Sequence, residues 1–139
     1  MSRTTDLTPS LTKVVVLVLK NNQGDILLTQ RQKHQHLAGY WEFPGGKIEA
    51  DESPFEALKR ECMEELDYHI IAPEKILTIN HQYPTIKVQL QIFYETNTHP
   101  QVKPAEGQCM KWVNINDLDQ YKLPEANQAI IEHLQSNAL

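Results

Sequence analysis

Cysteine and long apolar runs are both scarce in this sequence. Two of its 139 residues are cysteines, Cys62 and Cys109, and they do not show the spacing of a metal site. We therefore expect reduced thiols rather than a disulfide framework. The longest purely apolar run, Val14–Leu19, is far shorter than the ~20 residues that a membrane-spanning helix needs. The polar N-terminus also lacks the apolar core of a secretion signal, so we expect a cytoplasmic protein without membrane contact.

Basic segments are also missing. The chain has 13 Lys and Arg residues against 18 Asp and Glu residues, a formal net charge of -5, and no run rich in Lys or Arg. A long polyanion such as DNA needs a basic surface, so we expect no direct DNA binding. A small polyanion can still bind if metal ions mediate the contact.

What the sequence does contain is ordinary for one globular domain. Hydrophobic residues make up 40% and charged residues 22% of the chain, which is enough apolar material for a core. There is no internal repeat or linker. We expect a frayed N-terminus over residues 1–11, one domain over residues 12–139, and a monomer.

Short β-branched or alternating runs predict strands, and capped periodic runs predict helices. The predicted strands are residues 13–20, 26–31, 41–43, 75–83, 87–95 and 109–115. The predicted helices are residues 54–66 and 124–135. In the strand 87–95, Val88, Leu90, Ile92 and Tyr94 alternate with a mostly polar face. The economical fold class is α+β, with a mixed β-sheet sandwiched between helices.

The first helix carries the clearest local signals. Ser53 is a candidate N-cap, Pro54 suits the first helical position, and Glu56 completes a capping box with Ser53. The expected apolar stripe consists of Phe55, Leu58, Cys62 and Leu66.

The same helix concentrates negative charge. Glu61, Glu64 and Glu65 stand three and four residues apart, so they are expected to share one face. Like charges at this spacing cost roughly 0.2–0.5 kcal/mol per pair. Arg60 is expected to point away from them and to pair with Glu56. Such a cluster is either a solvated acidic face or a site for a hard cation such as Mg²⁺, which prefers carboxylate oxygen.

A glycine loop and this helix together resemble the Nudix box, G-x5-E-x7-R-E-U-x-E-E-x-G-U, where U is a bulky aliphatic residue. The matching residues are Gly46, Glu52, Arg60, Glu61, Glu64 and Glu65. At roughly 5–7% usage per residue type, six fixed positions match a given register about once in ten million by chance. Cys62, Asp67 and Tyr68 depart from the pattern, and none of them is a metal ligand in it. Asp67 replaces a helix-ending glycine, and Asp tolerates the left-handed conformation that this position needs.

The resemblance implies a fold, a cofactor and residue roles. It implies a Nudix fold that binds Mg²⁺, with Mn²⁺ as an alternative, through Glu61, Glu64, Glu65, Glu106 and the carbonyl of Gly45. Glu61 is the candidate for activating the attacking water, Arg60 and Glu52 would hold the loop and the helix together, and Gly46 is structural.

Flanking segments resemble the MutT group within this family. They are "LLTQR", "WEFPGGKIE", "AEGQ" and "LPEANQAII". The resemblance implies nucleotide contacts from Arg31, His36, Glu42, Phe43, Pro44, Gly45 and Asn127. It also implies hydrolysis of 8-oxo-dGTP to 8-oxo-dGMP and pyrophosphate, which would prevent mutagenic incorporation into DNA.

Asn127 stands out independently of the resemblance. It lies within the apolar stripe of the last helix, which consists of Leu123, Ile130, Ile131 and Leu134. A buried amide without a partner costs on the order of 1–3 kcal/mol, so its donor and acceptor must meet either backbone or ligand. An amide can bond both ways to a purine edge.

Three alternatives remain open at this point. The enzyme could prefer a pyrimidine or a pterin triphosphate. A Nudix-like fold could also bind nucleotide without cleaving it, although this chain keeps all the glutamates of the box. An acidic structural protein without a ligand is the third alternative.

Overall fold

The computed structural model describes residues 10–136 of the chain. The fraying predicted for residues 1–11 therefore lies mostly outside the described residues. Residues 10 and 11, at the end of that range, belong to the first strand.

The described chain forms seven strands, two α-helices and two 3-10 helices. The strands are β1 (Ser10–Lys20), β2 (Asp25–Gln30), β3 (Trp41–Glu42), β4 (Gly45–Lys47), β5 (Glu74–Gln82), β6 (Ile86–Thr96) and β7 (Met110–Asn114). The helices are α1 (Pro54–Leu66) and α2 (Gln128–Ser136), and the 3-10 helices are Ile115–Gln120 and Glu125–Asn127. The helix predicted from residue 124 thus begins with a 3-10 turn, and β4 was not predicted.

The seven strands form one mixed sheet. Its order is β3-β2-β1-β6-β5, with β4 paired to β1 and β7 paired to β2. The β1–β6 ladder is parallel, and the other pairings are antiparallel. A parallel pair needs a crossover connection, and here α1 lies within that connection.

Apolar side chains cover both faces of this sheet. In β1, Val16 and Val18 join a core with α2, whereas Val15 and Leu17 join a second core with α1. The α2 side includes Ile26, Leu28, Leu90, Ile92, Leu123, Ile130, Ile131 and Leu134. The α1 side includes Leu27, Leu58, Cys62 and Leu66. The predicted α+β class, a mixed sheet between helices, is confirmed.

The ends of α1 follow the sequence signals closely. The Ser53 hydroxyl accepts a hydrogen bond from the Glu56 N–H at 3.1 Å, and the Glu56 carboxylate accepts one from the Ser53 N–H at 2.8 Å. Asp67 ends the helix in the left-handed conformation, with φ 52° and ψ 36°. Phe55 was wrongly placed in the buried stripe, since it is 47% exposed and Ala57 is buried instead. The first turn extends past the edge of the core, so its apolar residue stays in solvent.

The mostly polar face of β6 is buried over much of its length. Gln91, Phe93 and Glu95 are all less than 9% exposed. The reason is that α1 and the segment after it cover this face. Glu95 accepts hydrogen bonds there from the Tyr68 hydroxyl and from the backbone N–H groups of Ile71 and Ala72.

No helix within residues 10–136 is long and apolar enough to cross a membrane.

Candidate active site

A cleft of about 740 Å³ opens beside β1, β4 and α1. It brings together most of the residues singled out from the sequence: Arg31, His36, Glu42, Phe43, Gly45, Gly46, Glu61, Glu65, Glu106 and Asn127. The other four, Pro44, Glu52, Arg60 and Glu64, do not line it. Pro44 instead fastens the loop to the sheet, because its carbonyl accepts a hydrogen bond from the Leu17 N–H at 2.8 Å.

Two glycines bring α1 against the sheet at this cleft. Gly45 has φ +152°, and a Cβ there would lie 2.0 Å from the Val15 carbonyl oxygen. A Cβ on Gly46 would lie 2.3 Å from the Cδ atom of Glu61. At Gly45 the obstacle is backbone and the φ value is unfavourable for other residues, so this position requires glycine. At Gly46 an added Cβ would displace the Glu61 carboxylate from its present place. The predicted structural role of Gly46 therefore has a direct physical cause, since it leaves room for the Glu61 carboxylate.

The acidic side chains of the cleft act on one another. Burial raises the pKa of Glu65, and the neighbouring carboxylates of Glu61, Glu42 and Glu106 raise it further. Burial also raises the pKa of Glu106, as do the charges of Glu61 and Glu64. The neighbours within residues 10–136 that act on Glu65 are all acidic. This part of the cleft therefore has a strong negative potential that a cation would relieve.

Glu64 departs from the expected common face. Its side chain is 54% exposed and lies 3.3 Å from Arg60. At about 100° of rotation per residue, Glu65 lies about 40° from Glu61 on the helix circumference, and Glu64 lies about 60° away on the other side. The cleft thus receives Glu61 and Glu65 directly, while Glu64 stands at its edge.

Arg60 does not pair with Glu56, as the sequence had suggested. Its guanidinium instead bonds Glu52 at 2.6 and 3.0 Å, Glu61 at 2.9 Å and the Lys47 carbonyl at 3.0 Å. Glu56 is already engaged by the helix cap. The Arg60 hydrogen bond lowers the pKa of Glu52 to about 2. Arg60 thus ties β4, the loop before α1 and the Glu61 carboxylate together.

Arg31 and Glu42 form a second ion pair at the opening of the cleft, with 2.9 Å between Nη1 and Oε1. The Nε of Arg31 also donates a hydrogen bond to the carbonyl of His36. Burial raises the pKa of Glu42, and Arg31 opposes this shift. Arg31 therefore organises the loop that carries His36.

Apolar residues form another part of the cleft lining. Phe43 is 4% exposed and belongs to the core while it also lines the cleft. Asn127 is partly buried at the cleft wall, in the 3-10 turn before α2. The preceding residue, Ala126, donates its N–H to the Tyr83 hydroxyl at 3.0 Å. Tyr83 also lines the cleft, so it fixes the backbone next to Asn127.

Sequence reasoning missed Tyr83, Gln32 and Gln108 as cleft residues. Gln108 was within reach of the sequence, because it ends the "AEGQ" segment that contains Glu106. It is 7% exposed, and its side chain bonds the backbone of both Glu65 and Glu106. Nothing in the local sequence of Gln32 or Tyr83 indicates their contacts, which join residues far apart in the chain.

Within residues 10–136, no three His, Cys, Asp or Glu side chains are already gathered closely enough to hold a metal ion. The donor chemistry nevertheless fits a hard cation. Glu61 and Glu65 are adjacent carboxylates, and Glu106 lines the same cleft. Mg²⁺ commonly uses one or two carboxylates together with substrate phosphates and water, so a closed protein cage is not required.

Known proteins resemble this chain over most of its length. A family model described as NUDIX domain matches residues 15–133. An 8-oxo-dGTP diphosphatase of Haemophilus influenzae is 37% identical over 123 residues, which cover 88% of this chain and 90% of that protein. A CTP pyrophosphohydrolase of Escherichia coli is 32% identical over 118 residues, covering 85% of this chain and 87% of that protein.

Solved structures resemble it equally broadly. One comes from a study of MutT from Aliivibrio salmonicida and Vibrio cholerae. It has a TM-score of 0.77 and 30% identity, and the match covers 91% of this chain and 98% of that one. Since the family model spans nearly the whole described chain and the acidic helix lies inside it, this chain belongs to the NUDIX domain family and is a Nudix hydrolase.

Proposed function

We propose that this Nudix hydrolase is a metal-dependent nucleoside triphosphate pyrophosphohydrolase that converts 8-oxo-dGTP to 8-oxo-dGMP and pyrophosphate. The observation that carries the proposal is the mixed lining of one cleft, which contains both carboxylates and the side chains of Phe43 and Asn127. We call the part lined by Glu61, Glu65 and Glu106 the acidic end and the part lined by Phe43 and Asn127 the apolar end. A nucleotide has the matching shape, with a polyanionic tail and a planar base.

The acidic end suits Mg²⁺, or Mn²⁺ in its place. The groups that would hold the ion are the carboxylates of Glu61, Glu64, Glu65 and Glu106 and the carbonyl of Gly45. Bound metal supplies neutralisation of phosphate charge and a lower pKa for a coordinated water. Arg60 bonds Glu61 at 2.9 Å and Glu52 at 2.6 Å, so it orients the Glu61 side chain. Glu61 accepts the proton of the water that attacks phosphorus.

The apolar end suits a purine. Phe43 offers a ring face next to the cleft, and Asn127 offers an amide with both a donor and an acceptor. At the opening, Arg31 and His36 lie where they can meet the sugar and phosphates. Sites that bond specific base edges reject analogues strongly, because a wrong base leaves buried polar groups unpaired. The resemblance to 8-oxo-dGTP diphosphatases supports the oxidised purine as substrate.

A pyrimidine triphosphate is the second candidate, because the CTP pyrophosphohydrolase of Escherichia coli covers this chain almost as fully. We measure pyrophosphate release from 8-oxo-dGTP, dGTP and CTP with Mg²⁺ and with chelator. Chelator-sensitive release with the highest kcat/KM on 8-oxo-dGTP supports the proposal. A higher kcat/KM on CTP would identify a pyrimidine triphosphate as the substrate. Tight nucleotide binding without pyrophosphate release would identify a non-catalytic binding module.

Asn127→Ala tests the base-reading role separately. We expect the preference for 8-oxo-dGTP over dGTP to fall about tenfold, in line with the loss of hydrogen bonds to a buried base edge of about 1–2 kcal/mol. Hydrolysis itself should continue, since the acidic end is untouched. Equal losses on both nucleotides contradict base reading by Asn127.

The cellular proposal follows from the substrate. Removal of 8-oxo-dGTP would keep a mutagenic precursor out of DNA without any contact with DNA itself. We place this activity in the cytoplasm and expect a monomer. Cell fractionation and sedimentation velocity test the two statements.

A further inference from the structure

Glu106 stands on a segment without regular structure, between β6 and β7, and its side chain is exposed. The segment is docked on the end of α1, because the N–H groups of Lys103 and Ala105 donate to the carbonyls of Leu66 and Glu65, each at 3.0 Å.

Two glutamine side chains hold the backbone of Glu106 from opposite sides. The Gln108 Oε1 accepts a hydrogen bond from the Glu106 N–H at 3.0 Å. The Gln32 Nε2 donates one to the Glu106 carbonyl at 2.9 Å. Both polar groups of this residue's backbone are thus engaged by side chains rather than by a strand or a helix.

Gln108 also reaches the other side of the acidic cluster. Its Nε2 donates to the Glu65 carbonyl at 2.8 Å, so one amide joins the backbones of Glu65 and Glu106. Gln108 is 7% exposed, and a buried amide with both ends bonded has little freedom to move. The Gln108 side chain therefore sets the separation of these two acidic residues together with the backbone hydrogen bond from Ala105 to Glu65.

Gln32 connects Glu106 to the loop that carries His36. Its own N–H donates to Oε1 of Gln35 at 2.7 Å, and its carbonyl accepts from the Gln35 N–H at 3.0 Å. A displacement of this loop by an entering nucleotide would therefore pull on the carbonyl of Glu106.

We propose that Gln108 and Gln32 are positioning residues that hold the backbone of Glu106 so that its carboxylate stays in the cleft with Glu61 and Glu65. The inference rests on the proposed role of Glu106 as a metal ligand. Residues that orient a ligand without touching the metal typically change metal affinity or activity 10- to 100-fold when replaced. Gln108 holds two backbone groups inside the fold, so its effect exceeds that of Gln32.

The test is Mn²⁺ binding to the nucleotide-free protein, measured from the electron paramagnetic resonance signal of unbound Mn²⁺. Gln108→Met keeps the side-chain length and removes both hydrogen bonds. We expect it to weaken Mn²⁺ binding about tenfold. The matched control is Gln91→Met, because Gln91 is 8% exposed and does not line the cleft. The control should bind Mn²⁺ as the wild type does.

A double-mutant cycle with Glu106→Gln separates positioning from general structural support. If Gln108 acts through Glu106, Gln108→Met should weaken Mn²⁺ binding less than about twofold once Glu106 is already Gln. The Glu65 carbonyl keeps its hydrogen bond from the Ala105 N–H in either variant. Loss of the Gln108 bond to Glu65 should therefore change Mn²⁺ binding little by itself. A full tenfold effect in the Glu106→Gln background overturns the inference.

The same cycle separates this inference from the proposed function. Unchanged Mn²⁺ binding in Glu106→Gln removes the ligand role of Glu106, and with it the basis of the inference. Weakened binding in Glu106→Gln together with unchanged binding in Gln108→Met overturns the inference but leaves the proposed function standing.

If Gln108→Met does not fold, Gln32→Met takes its place. Gln32 lies at the cleft wall outside both cores, so its replacement should not disturb folding. We expect it to weaken Mn²⁺ binding about threefold, less than Gln108→Met. Unchanged binding there overturns the proposal as well.

Discussion

Two places within residues 10–136 remove carboxylates from water, namely Glu95 on β6 and the cleft beside α1. Glu95 is 3% exposed and is surrounded by donors, namely the Tyr68 hydroxyl and the N–H groups of Ile71 and Ala72. Glu65 is surrounded by other carboxylates. Helix α1 carries Glu61 and Glu65, and the segment that follows α1 supplies the donors around Glu95.

The difference separates an acid that stabilises the fold from the acids that we propose to serve chemistry. Donors around Glu95 compensate the loss of water, so the carboxylate anchors the segment after α1 at little cost. In the cleft the compensation is incomplete, with Arg60 bonding Glu61 but acidic neighbours acting on Glu65. Acids that have mainly other acids as neighbours favour the binding of a cation. The comparison therefore predicts opposite results for mutations at the two places.

The largest effect is expected from Glu61→Gln. Loss of a proton-accepting carboxylate should lower turnover about 10²- to 10⁴-fold. The melting temperature should change little, because the variant loses one ion pair with Arg60 and one repulsion with Glu65. Pyrophosphate release and thermal melting measure the two quantities, with Glu132→Gln on the exposed face of α2 as the control. Normal turnover in Glu61→Gln rejects the assignment.

Glu95→Ala should show the reverse pattern. It leaves the Tyr68 hydroxyl and two backbone N–H groups without their acceptor, so we expect the free energy of unfolding to fall by about 3 kcal/mol. The folded fraction should keep its kcat. Glu95→Gln retains one acceptor oxygen and should lose less. Urea denaturation measures whether Glu95→Ala loses more stability than Glu95→Gln. A stable Glu95→Ala variant with a low kcat would mean that Glu95 serves catalysis rather than the fold.

Metal should distinguish the two sites by stabilisation. A specific ligand at about 100 times its dissociation constant adds about 2.7 kcal/mol to the free energy of unfolding. We expect Mg²⁺ to raise the melting temperature of the wild type and of Glu95→Gln, and to leave that of Glu65→Gln nearly unchanged. Chelator-treated samples without added Mg²⁺ provide the baseline. An equal shift in Glu65→Gln argues that the ion binds elsewhere.

The smallest effect concerns Glu52, an acid beside the cleft that does have a donor. The hydrogen bond from Arg60 lowers its pKa from 4.5 to about 2 in the folded protein. A depressed pKa contributes stability above the unfolded value, and this contribution disappears as pH falls from about 4.5 through about 2. Glu52→Gln should therefore weaken the dependence of melting temperature on pH in that window. An unchanged slope contradicts the Arg60 contact.

The structure confirms most predictions that rest on local sequence signals. Ser53, Glu56 and Asp67 cap α1 as predicted, because a cap depends on residues within one turn. The strands were placed within a few residues for the same reason. The short β4 was missed because Gly45 and Gly46 read as a turn, and only the close approach to Val15 makes them a strand.

Contacts between distant segments could not be predicted from the sequence. Glu95 looks like a solvent-facing residue of an alternating strand, and only the arrival of Tyr68 and Ile71 over β6 buries it. Arg60 was paired with the wrong acid, because helical spacing does not show how far its long side chain reaches toward β4. The acidic ligand set itself came from the resemblance to the Nudix box, and its roles stay predictions.

The parallel pairing of β1 with β6 also constrains the order of events during synthesis on the ribosome. Ser10 pairs with Ile86 and Lys20 with Thr96, so the central ladder cannot close until the chain has emerged to the end of β6. Strands β2 and β4 can pair with β1 before that, but the centre of the sheet stays open at β1. High contact order of this kind slows folding. A nascent chain arrested before β6 should therefore lack the partner strand of β1, and should be digested more rapidly by protease than the complete chain.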